Sequence, residues 1–372
     1  MKKRNSNVEI LRIISMAMIL ISHYSINTGV VLFEMPITFN RIMLEALKLG
    51  NIGVIIFLLI TGYYGVKKEK AFQFKKIFNL YLQVLFYSIM IYFIFVLFGQ
   101  EKLTLKGLLL NIFPITFNSY WFISVYFILY LFMDFINLLI KNLTKEKFLN
   151  LIIILFIVFS VIKTITFQTL YCNELIQLLF FYLIGAYIGK YESNINISKK
   201  KIIHLILLFA CAMLLSVIAF DIIGLKYSLF AMHSNYLFSR TSPLSIIISI
   251  LIFLLFIKKE PFNSSTLNFV SSFVLSVYLI TDNNYIRSVL WTNILKTKLF
   301  YNSPFLLLHL IFSVCIAFII CIIIDFFRTL IFSKLNNKIS LLVEKFYLKN
   351  IKSIILKIGL YTKTQNGENI EY

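Results

Sequence analysis

Three ionisable side chains, Glu9, Arg12 and His23, fall within the first apolar stretch of the chain. An ionisable residue near the centre of a membrane-spanning helix costs about 2.5–3.5 kcal/mol on insertion scales, and such positions are functional by default. Eleven helical steps of 100° return to within about 20° of the start, so Arg12 and His23 share a face, with Glu9 about 40° from His23. At 1.5 Å rise per residue, Arg12 and His23 are about 16 Å apart along the axis. Apolar surroundings disfavour a charged imidazole, and the neutral ring is the form a general base requires. A purely structural alternative has the same spacing: Arg12 snorkels and pairs with Glu9, and His23 hydrogen-bonds a neighbouring helix.

These residues need a helix bundle in a membrane to position them. The chain has 372 residues, 60% of them hydrophobic and 14% charged. Soluble domains average about 45–50% apolar and about 25% charged, so a water-soluble fold is excluded. Apolar windows fall at 8–31, 43–64, 77–98, 120–140, 148–170, 174–190, 202–223, 243–257, 267–286 and 304–327. With about 20 residues needed per span, the pattern predicts an all-α, polytopic integral membrane protein of about ten transmembrane helices. The segment from Leu103 to Asn118, interrupted by Pro114, is a candidate re-entrant piece.

The net charge of +20 is distributed as short Lys and Arg runs between apolar windows, which is a topology signal and not a nucleic-acid footprint. Alternate loops starting with the N-terminus carry 17 basic residues before the tail, against 10 on the other set. The positive-inside rule then places both termini in the cytoplasm. The Met1-Lys2-Lys3-Arg4 start leads into a helix with no small-residue cleavage site, so we expect it to be retained. The membrane domain is expected over 1–335. From 336 to 372, Ile339, Leu342, Val343, Phe346, Ile351, Ile354, Ile355 and Ile358 alternate with lysines, as in an amphipathic helix lying on an anionic leaflet. Cys172, Cys211, Cys315 and Cys321 have no CxxC spacing, the four histidines form no HExxH pattern, and no metal site is expected.

Several stretches resemble one family in the same order. The run from Glu9 to His23, a basic residue followed by ten residues and His, is similar to the opening helix of the acyltransferase-3 family of bacterial membrane acyltransferases. Phe57-Leu58-Leu59-Ile60-Thr61-Gly62-Tyr63 resembles the family's FFxxSG motif, with Thr61 for Ser. Tyr120-Trp121-Phe122-Ile123-Ser124-Val125-Tyr126, with Asp134-Phe135-Ile136-Asn137 after it, resembles the YWF…Y…PxxN segment of the cell-surface polysaccharide branch, and Ser276 to Asn283 resembles VYLIHDN. Asp134 replaces a frequent Pro, and Thr281 stands where His is frequent, so Thr281 is given no catalytic role.

The resemblance implies transfer of acetyl or another short acyl group from cytoplasmic acetyl-CoA to a hydroxyl of a capsular or other cell-surface polysaccharide, or its lipid-linked precursor, at the bacterial plasma membrane. It implies His23 as general base or acyl acceptor, with Arg12 and its neighbour Glu9 in the same machinery. Arg12 lies where it could orient the pantetheine arm or thioester carbonyl, and Lys75 and Lys76 offer point charges for the CoA phosphates. For the lysines, plain topology charge is the competing reading. Of the other polar groups, His204 is expected to face headgroups, His233 to reach acceptor sugar, and His309 to serve in helix packing. Tyr120, Trp121 and Tyr126 read as an interfacial aromatic belt, with sugar stacking as the alternative. A transporter or flippase for a lipid-linked glycan, or a non-enzymatic assembly subunit, would use the same intramembrane charges differently.

Overall fold

The computed structural model describes residues 4–27, 30–68, 72–167 and 172–357, with side chains through Phe346. Lys2, Lys3, Lys70 and Lys363, and the tail side chains from Ile351 onward, lie outside the described residues. Within them the chain is all-helical, with no strand. In chain order the helices are α1 Ser6–Ile26, α2 Phe39–Ala46, α3 Gly50–Gly65, α4 Phe74–Leu97, α5 Leu105–Ile112, α6 Trp121–Leu131, α7 Met133–Asn142, α8 Lys145–Phe156 and α9 Lys163–Thr166. They continue as α10 Glu174–Tyr191, α11 Lys199–Gly224, α12 Ser228–Met232, α13 Pro243–Ile257, α14 Ser265–Ser272, α15 Val274–Thr281, α16 Ile286–Ser288 and α17 Leu306–Lys357.

Each of the ten apolar windows coincides with a helix or a helix pair. Seven helices among the described residues are long and apolar enough to cross a membrane, or eight if the bent pair α6–α7 is one span. The other two windows are α10, which carries Glu174, Gln177 and Lys190 in 18 residues, and α14–α15, which is short and broken at Phe273. Both face the bundle interior for much of their length, where a helix needs less apolar surface than at the lipid boundary. The segment containing Pro114 forms the short helix α5, packed against α4 by the Ser88 hydroxyl donating to Asn111 Oδ1 at 2.9 Å.

Lipid tails are as apolar as the helices, so close backbone approach at small residues holds the spans together. A Cβ on Gly62 of α3 would lie 2.0 Å from the Tyr182 carbonyl oxygen of α10, and one on Gly53 2.4 Å from the Ser15 carbonyl oxygen of α1. Neither contact is with a side chain that could swing away. Gly62→Ala should therefore destabilise the bundle by about 1–3 kcal/mol, the usual range for overpacking. Thermal unfolding in detergent would show it as a lower midpoint than wild type; an unchanged midpoint would mean that α3 and α10 can separate freely.

The α6–α7 pair bends by 55° without a proline. Asp134, where the family often has Pro, accepts a hydrogen bond from the Phe72 amide at 2.9 Å and so ties the loop before α4 to the start of α7. Asn137 donates to the Gly65 carbonyl at 3.1 Å and accepts from the Tyr182 hydroxyl at 2.7 Å, joining α7 to α3 and α10. Two buried carboxylates are matched by arginines, as burial demands. Asp221 of α11 pairs with Arg41 of α2 at 2.6 Å; Asp325 of α17 pairs with Arg328 and accepts from the Tyr87 hydroxyl at 2.7 Å. Helix α17 runs unbroken for 52 residues, about 78 Å at helical rise, and no break in the backbone marks position 336.

Candidate active site

The α1–α3 crossing turns Ser15 of α1 toward α3 and leaves the Arg12–His23 face of α1 on a central cavity of about 600 Å³. Arg12, Met16, Ile19 and His23 line it, so it follows one face of α1 along the whole distance between the two polar groups. Thr61 of α3, Tyr126 of α6 and Ser271 of α14 also line it. A cavity of this size is within the range of small-molecule and cofactor sites.

At the far end, His23 Nε2 lies 3.7 Å from Asp282 Oδ1, within ion-pair reach but beyond a hydrogen bond. Its Nδ1 is buried and has no partner. Asp282 terminates α15 and is held by Arg287, whose Nη2 lies 3.0 Å from its carboxylate and donates to its backbone carbonyl at 3.0 Å. The adjacent Asn283 donates to the Tyr120 hydroxyl at 2.7 Å. Thr281 is buried, and its hydroxyl donates to the Val277 carbonyl one turn back, which leaves it no part in the site.

At the near end, Arg12 Nη1 is 3.0 Å from both carboxylate oxygens of Glu9, and the Ser271 hydroxyl donates to Glu9 Oε2 at 2.6 Å. Glu9 thus fixes the guanidinium from one side and is itself buried. Lys76 lines the cavity, but Lys75, about 100° further round α4, is not part of its wall. Lys68, one of the five lysines the sequence offers between Lys67 and Lys76 for the CoA phosphates, is close by: partial burial, and then the charges of Lys76 and Arg12, push its amine below its ordinary pKa. Lys75 and Lys76 occupy the first turn of α4, where the helix dipole already favours anions and no acidic residue is present.

Tyr120, Trp121 and Tyr126 do not form an interfacial belt. Tyr120 is 1% exposed, and Trp121 and Tyr126 face the cavity, because α6 packs into the bundle against α10. His309 packs as expected: its Nδ1 meets the Tyr24 hydroxyl at 2.8 Å and its ring stacks on Phe300 at 3.6 Å. His204 is exposed at the start of α11. His233 lines a second cavity, of about 290 Å³. Among the described residues no group of three or more His, Cys, Asp or Glu comes together as a metal site.

Sequence reasoning missed Asp282 as the partner of His23, and also Arg287 and Arg240. The available signal was an acid closing an apolar helix inside a stretch already singled out by its resemblance.

A helical bundle with an imidazole, a carboxylate and cations around one internal cavity defines a multi-pass membrane protein with an intramembrane polar site. The family model described as an acyltransferase domain matches residues 5–326, so the chain belongs to the acyltransferase-3 family and is a membrane acyltransferase. No curated protein and no solved structure matches the chain.

Proposed function

We propose that the protein transfers an acetyl, or another short acyl, group from cytoplasmic acetyl-CoA to a hydroxyl of a cell-surface polysaccharide or its lipid-linked precursor in the bacterial plasma membrane. The observation that carries this reading is the single cavity with Arg12 and Lys76 at one end and His23 at the other. By the positive-inside rule the Arg12 end faces the cytoplasm, where the donor is made, and the His23 end faces outward, where the glycan is.

The charges of Lys76 and Arg12 bear on Lys68, and Arg12 is already engaged by Glu9, so an added anion relieves the mutual repulsion of the three cations. That suits the phosphates of CoA. The acyl thioester extends up the cavity toward His23, passing the Arg12 guanidinium. Asp282, opposite Nε2 of His23, favours the protonated ring that forms during the reaction. As general base, the neutral His23 imidazole takes the acceptor hydroxyl proton while that oxygen attacks the thioester carbonyl. The tetrahedral intermediate collapses, the C–S bond breaks, and the imidazolium returns the proton to the CoA thiolate. In the covalent variant, the imidazole attacks the thioester first, the C–S bond breaks and CoA leaves as the thiol with the ring N–H proton; the acceptor hydroxyl then attacks the acyl-imidazole and returns its proton to the ring.

The test is purified protein in liposomes with labelled acetyl-CoA on the Arg12 side and envelope glycan on the other. Label should appear in the glycan; glycan crossing the membrane with no label transferred would favour the flippase instead. In the same assay Lys76→Gln should raise the KM for acetyl-CoA roughly three- to tenfold, as loss of one partly exposed charge-assisted contact does. Acceptor KM should not change, and Lys75→Gln should stay near wild type. Equal effects of the two lysine variants would return both residues to a topology role.

A further inference from the structure

Arg240, just before α13, has no carboxylate in direct contact among the described residues. Arg12 pairs with Glu9, Arg41 with Asp221, Arg287 with Asp282 and Arg328 with Asp325. Arg240 forms no ion pair or hydrogen bond with any described residue, and its buried Nη1 has no partner. Its guanidinium lies instead 4.1 Å from the centre of the Trp121 ring, and both side chains line the central cavity.

The neighbours of Arg240 set its depth. Asn51 Nδ2 donates to the Phe238 carbonyl at 2.9 Å, and Gly50, beside Asn51, abuts Ser22, the residue before His23. Arg240 therefore belongs to the His23 end, away from the lysines. The second cavity meets the first at Ser22, Ile26 and Asn51, and its wall includes His233, Asn235 and Tyr236. Asn235 donates to Glu45, the Tyr236 hydroxyl to the Lys163 carbonyl, and His233 Nδ1 meets the Leu229 carbonyl; the positions these groups keep open, beside the apolar surfaces of Tyr236 and Phe238, suit a sugar, which presents hydroxyls at its edge and an apolar face.

A largely desolvated guanidinium with no counter-ion in direct contact is unfavourable; the charge of nearby Glu174 offsets part of that cost, and an anion in contact offsets more of it. Cation–π contact with Trp121 lessens the cost in the empty site and leaves the N–H groups unengaged. The guanidinium fork matches carboxylate and phosphate oxygens in pairs, a geometry suited to a substituent on a substrate. We propose that Arg240 binds a carboxylate or phosphate carried by the acceptor, so that the acceptor is an acidic glycan whose neighbouring sugar occupies the second cavity. This rests on the glycan-acceptor reading above.

The experiment measures binding to the purified full-length protein with no acyl donor present. Two probe pairs are compared: a hexuronate trisaccharide with its carboxyl-reduced form, and a glycerol-phosphate-substituted trisaccharide with its dephosphorylated form. Wild type should bind the charged member of one pair at least tenfold more tightly than its neutral counterpart, and that pair identifies the anion. Arg240→Gln should erase the difference without weakening the neutral probe, and Arg240→Lys should keep part of it. Equal binding within both pairs by wild type, or an Arg240→Gln variant that weakens charged and neutral probes alike, would overturn the proposal. The wild-type comparison stands even if the Gln variant misfolds. Charge discrimination without label transfer from acetyl-CoA would count against the acyl-transfer reading alone, and transfer without discrimination against this inference alone.

Discussion

His23→Ala should lower acyl transfer by about 10²–10⁴-fold, the usual worth of a general base, while leaving the bundle intact. The folding half of this expectation follows from the ring's surroundings. Nδ1 has no partner and Nε2 is 3.7 Å from Asp282, so truncation breaks no hydrogen bond. The side chain faces a cavity, and its removal enlarges an existing space without opening a new void in packed core. Binding of acetyl-CoA should be retained, because the proposed phosphate site lies about 16 Å away along α1. Added imidazole should restore part of the rate, since the cavity can admit a free ring where the side chain was. Wild-type turnover by a stable, correctly inserted variant would end the catalytic proposal for His23, whatever the family.

The second large effect is expected at Asp282. An orienting carboxylate behind a catalytic histidine is worth up to about 10⁴-fold where the hydrogen bond is fully formed. At 3.7 Å, with Arg287 sharing the charge, we expect Asp282→Asn to reduce kcat by about 10²-fold. KM for acetyl-CoA should barely move. Asn keeps the size of the side chain and can still accept from Arg287, so loss of the charge opposite Nε2 is the main change. A merely structural role predicts another pattern: a lower unfolding midpoint, with kcat per folded molecule preserved. Arg287→Gln separates the two further, because it leaves Asp282 charged and should cost less than Asp282→Asn.

Much of this protein is legible in the order of its residues because helix geometry is local. The apolar windows predict the spans, and each window does hold a helix or a helix pair, since about 20 apolar residues satisfy their own backbone only as helix in a bilayer. The shared face of Arg12 and His23 needs only the 100° step, and that face does line one cavity. The Glu9–Arg12 pair is likewise a matter of one turn. What lies beyond one helix depends on packing. Asp282 reaches His23, and Arg240 reaches Trp121, through crossings set by small residues such as Gly53 and Gly62, whose contacts lie far along the chain. Packing also decides which of the two lysines, about 100° apart on α4, meets the cavity: Lys76 lines it and Lys75 does not. Likewise, Trp121 and Tyr126 of α6 are cavity wall instead of belt because α6 packs against α10, a contact that lies far along the chain. By itself the sequence determined the helices and the spacing of groups along each one; only the tertiary structure decided which groups meet, because side chains on different helices are brought together by interhelical contacts that no single-helix periodicity encodes.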